Sequence, residues 1–543
     1  MYINFSDIPG NHNLFLDYLY EFENVKNFYR KDFRNKEEYV NTFKRISESH
    51  DHSREILSQT IKEQYRGFNP SAKTQKNITA LGDKKTLAVV TGQQLGILGG
   101  PLYTFYKLIT AIKLSTFLAE RYDDYYFVPV FWLEGDDHDF NEVRGISLLN
   151  ENNEITKIGY DHEVEDEEEN KGSIGNLLLN DSLDQFYAEL EKSLRVTEFT
   201  PQILDKIKSF YQPGKTFKQS FKELLFWIFD QYGLVIFDPQ DKNIKSLLKP
   251  VFKKEVSDFR IHTEKLVKVS AQLEELYHAQ VKVRPVNLFY RYEEGRYLIE
   301  PVENEFRLKR KRKKFTLEEI ISHIENEPEN FSPNVLLRPI CQDYVLPTAF
   351  YVGGPSEISY FAQVMPLYDF YKVEAPIVYP RASATIIEKN IGSIIEKFGI
   401  NLNELFLDPD KMKQKLIDSF SKTSVEEIFS GTSSQFELAL DQLKEKLFEL
   451  DKTISDVSSK YKEKIMKYLD ELKGKAYEAQ KRKYEITLRQ IERIVNVALP
   501  NSSLQEREIN FLYFANKYGI DIINHIFVEL TINKFEHQII NII

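Results

Sequence analysis

The sequence predicts an α/β protein with a Rossmann-like parallel-sheet core, inserted connective segments and an α-helical coiled-coil arm. Three observations lead there. Five short apolar runs each end in Gly, Asp or Pro, ahead of helical patterns. Strands of a parallel sheet, covered on both faces, read as such unbroken apolar runs. Heptad spacing runs from Gln435 to Leu499. The tripeptide Gly-Gly-Pro occurs twice, at Gly99-Gly100-Pro101 and Gly353-Gly354-Pro355.

The five runs are Thr86–Thr91, Tyr126–Leu133, Leu234–Asp238, Leu346–Val352 and Pro376–Tyr379. After the first, a helix is expected from Pro101 to about Glu120, with Leu102, Phe105, Ile109 and Ile112 on one stripe. After the fourth, a helix is expected from Pro355 to about Val364, where Pro366 should disturb it. Alternating strands and helices argue for a doubly wound core, and their uneven spacing demands insertions. The expected division is 1–150 for the first part of the core, 151–215 for an insertion and 216–261 for core. A second insertion, 262–330, holds a hairpin around Glu293-Glu294-Gly295. Residues 331–400 complete the core, 401–500 form the helical arm, and 501–543 pack back on the core.

In the arm, Phe436, Leu440, Leu443, Leu447, Leu450, Ile454, Val457 and Tyr461 alternate steps of four and three. Ile465, Tyr468 and Leu472 continue that seam after a slip, and Tyr484, Leu488, Ile491 and Val495 form a second. Gly474 is the expected break between them. The object is a helical hairpin or a continuous arm, and a homodimer through it is expected, because a heptad seam needs a partner.

At 543 residues, with 42% hydrophobic and 13% aromatic, the chain has material for several domains. Lys and Arg number 72 against 83 Asp and Glu, a net charge of −11, which argues against nucleic acid as a general partner. The basic run Lys309 to Lys314 and the acidic run Glu163 to Glu169 read as solvated loops or strand ends. Cys341 is the sole cysteine, so an internal disulfide and a cysteine zinc site are excluded. It reads as a core residue. The opening residues lack a secretory pattern and no stretch suits a bilayer, so a cytoplasmic protein without a membrane partner is expected.

Four polar clusters stand at strand ends, where open α/β sheets bind ligands. The first is Gln93, Gln94 and Gly96, followed by Gly99 and Gly100; Lys107 on the next helix could neutralise an anion. Glycines ahead of a helix-starting proline leave backbone N–H groups open to carboxylate or phosphate. The second is Trp132-Leu133-Glu134-Gly135-Asp136-Asp137-His138-Asp139. His138 could take a proton from an attacking amine, with Asp136 or Asp137 fixing its tautomer. Adjacent acidic residues rarely point the same way, so no metal site is called. The third holds Arg338, Gln342, Asp343, Gly353, Gly354 and Glu357, with Arg338 suited to a bidentate grip on an anion. The fourth holds Arg381, after the last run.

Together the stretches TGQQLGILGGPLYTFYK, PVFWLEGDDHDFNEV, LLRPICQDYVLPTAFYVGGPSEISY, YPRAS and LPNSSLQER resemble the bacillithiol biosynthesis cysteine-adding family, BshC. The resemblance covers nearly the whole chain, in order. It implies a Rossmann-like core with connective segments and a coiled-coil dimerisation arm. It also implies a cysteine ligase that joins L-cysteine to glucosaminyl malate by an amide bond, in the last step of bacillithiol biosynthesis. A nucleotide, ATP or ADP, belongs to the family picture. The core further resembles class I nucleotidyl transferases, whose His-x-Gly-His signature is here Gln94-Leu95-Gly96-Ile97, with both histidines absent. Two other readings remain open on the residues alone: a metal-dependent nucleotidyl or phosphoryl transferase, and a coiled-coil dimeric scaffold.

Overall fold

The computed structural model describes residues 1–50, 53–137, 139–160, 172–420, 425–483 and 485–542. His138, the acidic run Glu163 to Glu169 and Tyr484 of the second seam lie outside the described residues. The chain divides into two units, Met1–Ile386 with Pro500–Ile540, and Ile387–Leu499 with the residues from Asn541 on.

The first unit is built on five parallel strands: β1 (Thr86–Gln94), β2 (Tyr126–Glu134), β3 (Val235–Phe237), β4 (Thr348–Gly353) and β5 (Ile377–Pro380). They are the five apolar runs of the sequence. Their order is 5-4-1-2-3, so the sheet reverses direction between β1 and β4. That is the order of a doubly wound Rossmann-like sheet, and the reversal opens a crevice at the carboxyl ends of these two strands. Val89, Val90, Val128, Val130, Phe350 and Tyr351 are buried, as strands covered on both faces require.

Helix α1 (Leu102–Ala119) follows β1 and helix α3 (Pro355–Tyr371) follows β4, with α2 (Arg338–Val345) just ahead of β4. Helix α3 runs past Val364 with Pro366 inside it, against the expectation of a break. One lost N–H bond does not end a helix whose Phe361, Val364, Leu367 and Tyr368 are all buried.

Between β2 and β3 lie the antiparallel pair Gly145–Leu149 and Ile155–Gly159, which straddles the expected boundary at 150, and, among the described residues, the α-helices Ser182–Ser193, Thr200–Phe210 and Phe217–Phe229, the last beyond the expected boundary at 215. The second insertion carries a five-stranded antiparallel sheet that includes Leu288–Tyr292 and Gly295–Val302, the hairpin around Glu293 and Glu294. The strand Phe331–Pro333, just past the expected boundary at 330, pairs with residues 288–290 in that sheet and leads into α2. Tyr2 and Ile3 pair with Gln538 and His537, so the tail after Pro500 belongs to this unit.

In the second unit, α4 (Val425–Leu450) and α5 (Lys452–Lys483) form an antiparallel hairpin. Lys462 meets Asp441 at 2.6 Å, and Lys473 and the Tyr477 hydroxyl both reach Glu426 at 2.8 Å. The turn falls at Asp451, whose carboxylate accepts the Thr453 N–H at 2.7 Å and so caps α5. Gly474, the expected break, sits inside α5. A single glycine costs a helix only about 1 kcal/mol, less than a 32-residue helix packed along a neighbour gathers. The turn splits the first seam. Phe436, Leu443, Leu450, Ile454, Val457 and Tyr461 stay exposed.

Candidate functional site

At the reversal point the ends of β1, β2, β4 and β5 surround a cavity of about 480 Å³. That size suits a small-molecule ligand. Gly92, Gln93 and Gln94 come from β1, Glu134 and Asp137 from β2 and the residues after it, Gly354 and Glu357 from the start of α3, and Arg381 from beyond β5.

The floor is a buried ion pair. Lys107 on α1 is 2% exposed, and its ammonium donates to the Gly92 carbonyl and the Gln93 side-chain oxygen, each at 2.8 Å. It also pairs with Glu357. The Glu357 carboxylate accepts the Gly354 N–H at 2.8 Å and the Tyr351 hydroxyl at 2.6 Å. Burial lowers Lys107 to about 8, with Glu357 opposing the shift. Burial works against the Glu357 charge as well, but Lys107 and the Gly354 N–H hold its carboxyl below the usual range.

One wall is Arg338, at the start of α2. It donates to the Tyr351 oxygen at 3.2 Å and to Tyr360, and stands 3.9 Å from Glu134. Glu134 accepts the Trp132 indole N–H at 3.1 Å. Burial, then the neighbouring Asp136 charge, push its carboxyl up. Arg296 and Arg507 complete the cationic lining. Arg296 stacks 3.7 Å over Phe289 and donates to Ser332 at 2.8 Å and to the Pro333 carbonyl at 2.9 Å.

Of the residues nominated from sequence, Gln93, Gln94, Lys107, Asp137, Arg338, Gly354, Glu357 and Arg381 line this cavity. Asp137 accepts the Gln94 side-chain amide. The remaining described nominees lie off the lining. Trp132 is buried behind Glu134. Asp136 is locked by Lys245 at 2.7 Å and Gln240 at 2.8 Å. Burial resists its charge, but Lys245 and Arg296 hold it low. Asp139 caps the short helix Phe140–Val143. Gln342 and Asp343 are buried behind Arg338, and burial raises Asp343 to about 6. Cys341, beside them, is fully buried, and burial pushes its thiol far up.

The two glycine junctions take different places. Gly353 accepts the Arg381 N–H at 2.9 Å, behind the lining residue Gly354. Gly96, Gly99 and Gly100 stand apart from the cavity. There the Leu102 N–H donates to the Ile509 carbonyl at 2.9 Å, and the Asn510 amide caps the Leu98 and Gly100 carbonyls at 3.0 and 2.6 Å. A nucleotide's phosphates commonly sit on such glycine-rich helix starts. Both are filled from within, the first by the Ile509 carbonyl and the second by the Glu357 carboxylate, so neither fits a phosphate chain in this arrangement.

Sequence reasoning named Glu134 within its cluster without a role, and missed Arg296, Tyr103, Tyr360 and Arg507 as lining residues. Tyr103, Glu134, Tyr360 and Arg507 were within reach, all four inside the quoted stretches. Arg296 arrives from the inserted hairpin, and nothing local signals that. Among the described residues, no three His, Cys, Asp or Glu side chains gather as metal ligands. No described helix is long and apolar enough to cross a membrane.

The sheet order and the switch-point cavity, lined by five cations and three carboxylates, define a Rossmann-like α/β protein with a charged cavity of small-molecule size. The chain belongs to the BshC family of bacillithiol biosynthesis. Residues 1–382 match the family's N-terminal Rossmann-like domain, and residues 384–542 its C-terminal coiled-coil domain. A relative from Salinibacter ruber, named "Putative cysteine ligase BshC", is 32% identical over 98% of this chain and 96% of its own. Relatives of the same name from Chloroherpeton thalassium and Christiangramia forsetii are 33% and 31% identical, over 97% and 95% of this chain and 96% and 94% of theirs.

Proposed function

We propose that this chain is a cysteine ligase that joins L-cysteine to the amine of glucosaminyl malate, in the last step of bacillithiol biosynthesis. The observation that carries the reading is the cation-rich cavity at the switch point of a BshC family member. Glucosaminyl malate brings two carboxylates and an amine, and cysteine brings the carboxylate that becomes the amide. The amine nitrogen forms the new C–N bond, the activated carboxyl oxygen leaves, and one amine proton is released. Asp137, which lines the cavity, and His138, next in sequence, are proposed to accept that proton, with Glu134 facing the same space. Five cations against three carboxylates leave the lining with a positive excess that favours anionic substrates.

A free carboxylate resists attack by an amine, so an ATP co-substrate is proposed on chemical grounds to supply the activation. The glycine junctions, closed by the Ile509 carbonyl and the Glu357 carboxylate, give that co-substrate no place, and no residue is assigned to it. The exposed seam residues Phe436, Leu443, Val457 and Tyr461 favour a homodimer through the helical hairpin. We place the reaction in the cytoplasm.

The test is to incubate the protein with glucosaminyl malate, cysteine and ATP and to follow bacillithiol by thiol labelling and mass spectrometry. Product above the protein-free control is expected. Its absence, together with normal bacillithiol in cells lacking the gene, would overturn the reading. Sedimentation should give twice the chain mass, and charged substitutions at Leu443 and Val457 should return the protein to monomer.

A further inference from the structure

Among the cations that line the cavity, Lys107 faces Glu357, Arg338 faces Glu134, and Arg381 holds Glu506 at 2.6 Å. Arg296 is tied to Ser332, Pro333 and the Phe289 ring. The Arg507 guanidinium makes no hydrogen bond or ion pair with any described residue. Its backbone is nonetheless fixed. Glu506 binds Arg381 and accepts the Ala384 N–H at 3.0 Å, and Gln505 bonds both the N–H and the carbonyl of Ile386. The chain therefore holds at the cavity a guanidinium with no direct bond to a described residue, near both Arg381 and Glu506. Burial and the Arg381 charge work against its own charge, Glu506 offsets only part of that, and an anion at the guanidinium relieves the rest.

We infer that Arg507 anchors a carboxylate of the malyl group and thereby selects an acidic glycoside over a neutral one. The inference rests on the ligase reading given above. Three anions could meet this guanidinium: a malyl carboxylate, the cysteine carboxylate and a nucleotide phosphate. The cysteine carboxylate loses its charge as the amide forms, and a phosphate leaves after activation. A malyl carboxylate keeps its charge from substrate to product, so a fixed cation suits it throughout. The groups expected from sequence to hold it, Lys107 and Arg338, already face carboxylates of the protein.

The experiment measures KM separately for glucosaminyl malate, cysteine and ATP in wild type, Arg507→Gln and Arg507→Lys. Arg507→Gln should raise KM for glucosaminyl malate about 10- to 100-fold, leave kcat within about twofold and leave the other two KM values unchanged. Arg507→Lys should recover part of the loss. The dimethyl ester of glucosaminyl malate should be a poor substrate for wild type, by a similar factor, and Arg507→Gln should no longer tell ester from acid. Lys157→Gln, in the adjoining cavity that Arg507 also borders, should change nothing. An unchanged KM for glucosaminyl malate, or a rise confined to cysteine or ATP, would overturn the assignment. If wild type forms no product, the ligase reading fails, and calorimetry still judges Arg507. Binding of glucosaminyl malate weakened in Arg507→Gln supports the anchor; equal binding, or none to wild type, overturns it.

Discussion

Gly99-Gly100-Pro101 and Gly353-Gly354-Pro355 both stand before long helices, yet the first is closed by the chain's tail and the second by a side chain three residues ahead. At the first, Gly99 and Gly100 hold φ of +88° and +68°, a region that disfavours side chains. Ile509 and Asn510 then satisfy the junction without charge. At the second, Gly354 has φ of −83°, which any residue adopts. Its glycine makes room instead, since a Cβ there would lie 3.2 Å from the Arg381 Nε. Its cap is the ionised Glu357, itself paired with Lys107. One tripeptide thus serves conformation in one place and close approach in the other, and only the second junction is part of the cavity.

Variants can break this contrast. Glu357→Gln should have the largest effect, about 3 kcal/mol of stability, because it leaves Lys107 buried without its partner. Urea unfolding would measure it, and adding Lys107→Met should return most of the loss. Gly99→Ala comes next, at about 2 kcal/mol, because it combines positive φ with a Cβ 2.9 Å from the Phe105 ring. Gly354→Ala should cost less, about 1 kcal/mol, since φ there suits any residue and only the 3.2 Å approach to the Arg381 Nε must be relieved. Equal losses at the two glycines would erase the distinction. The contrast also shows in pH. Burial lowers Lys107 to about 8, so between there and its ordinary 10.5 the unfolded chain holds a proton that the folded chain lacks. Stability from this group therefore rises with pH across that window, by about 1 kcal/mol between pH 8 and 9. Lys107→Met should flatten that rise, while the uncharged first junction contributes no slope.

The strands were legible because a sheet buried on both faces imposes unbroken apolar runs, and Thr86 to Thr91 or Tyr126 to Leu133 can be little else. The hairpin at Glu293 was legible from its turn residues. The turn at Asp451 was not. A heptad pattern records which residues are apolar, and it continues unchanged across a reversal of the chain. At the cavity, local sequence revealed which residues were polar but not which were already paired. Asp136 looked as available as Asp137, and the difference is Lys245, more than a hundred residues away. Arg507 stood in a tail expected only to pack back on the core, and its position depends on Glu506 meeting Arg381.

Cys341 has a practical consequence for work on this protein. Its thiol is fully buried and holds its proton far above neutral pH, so an alkylating dye should not label the folded chain. Any thiol detected in a native reaction mixture then comes from the small molecules. Conversely, dye uptake by the polypeptide marks unfolding of the parallel-sheet unit. A single side chain thus gives the assay a silent background and the stability measurements an internal reporter.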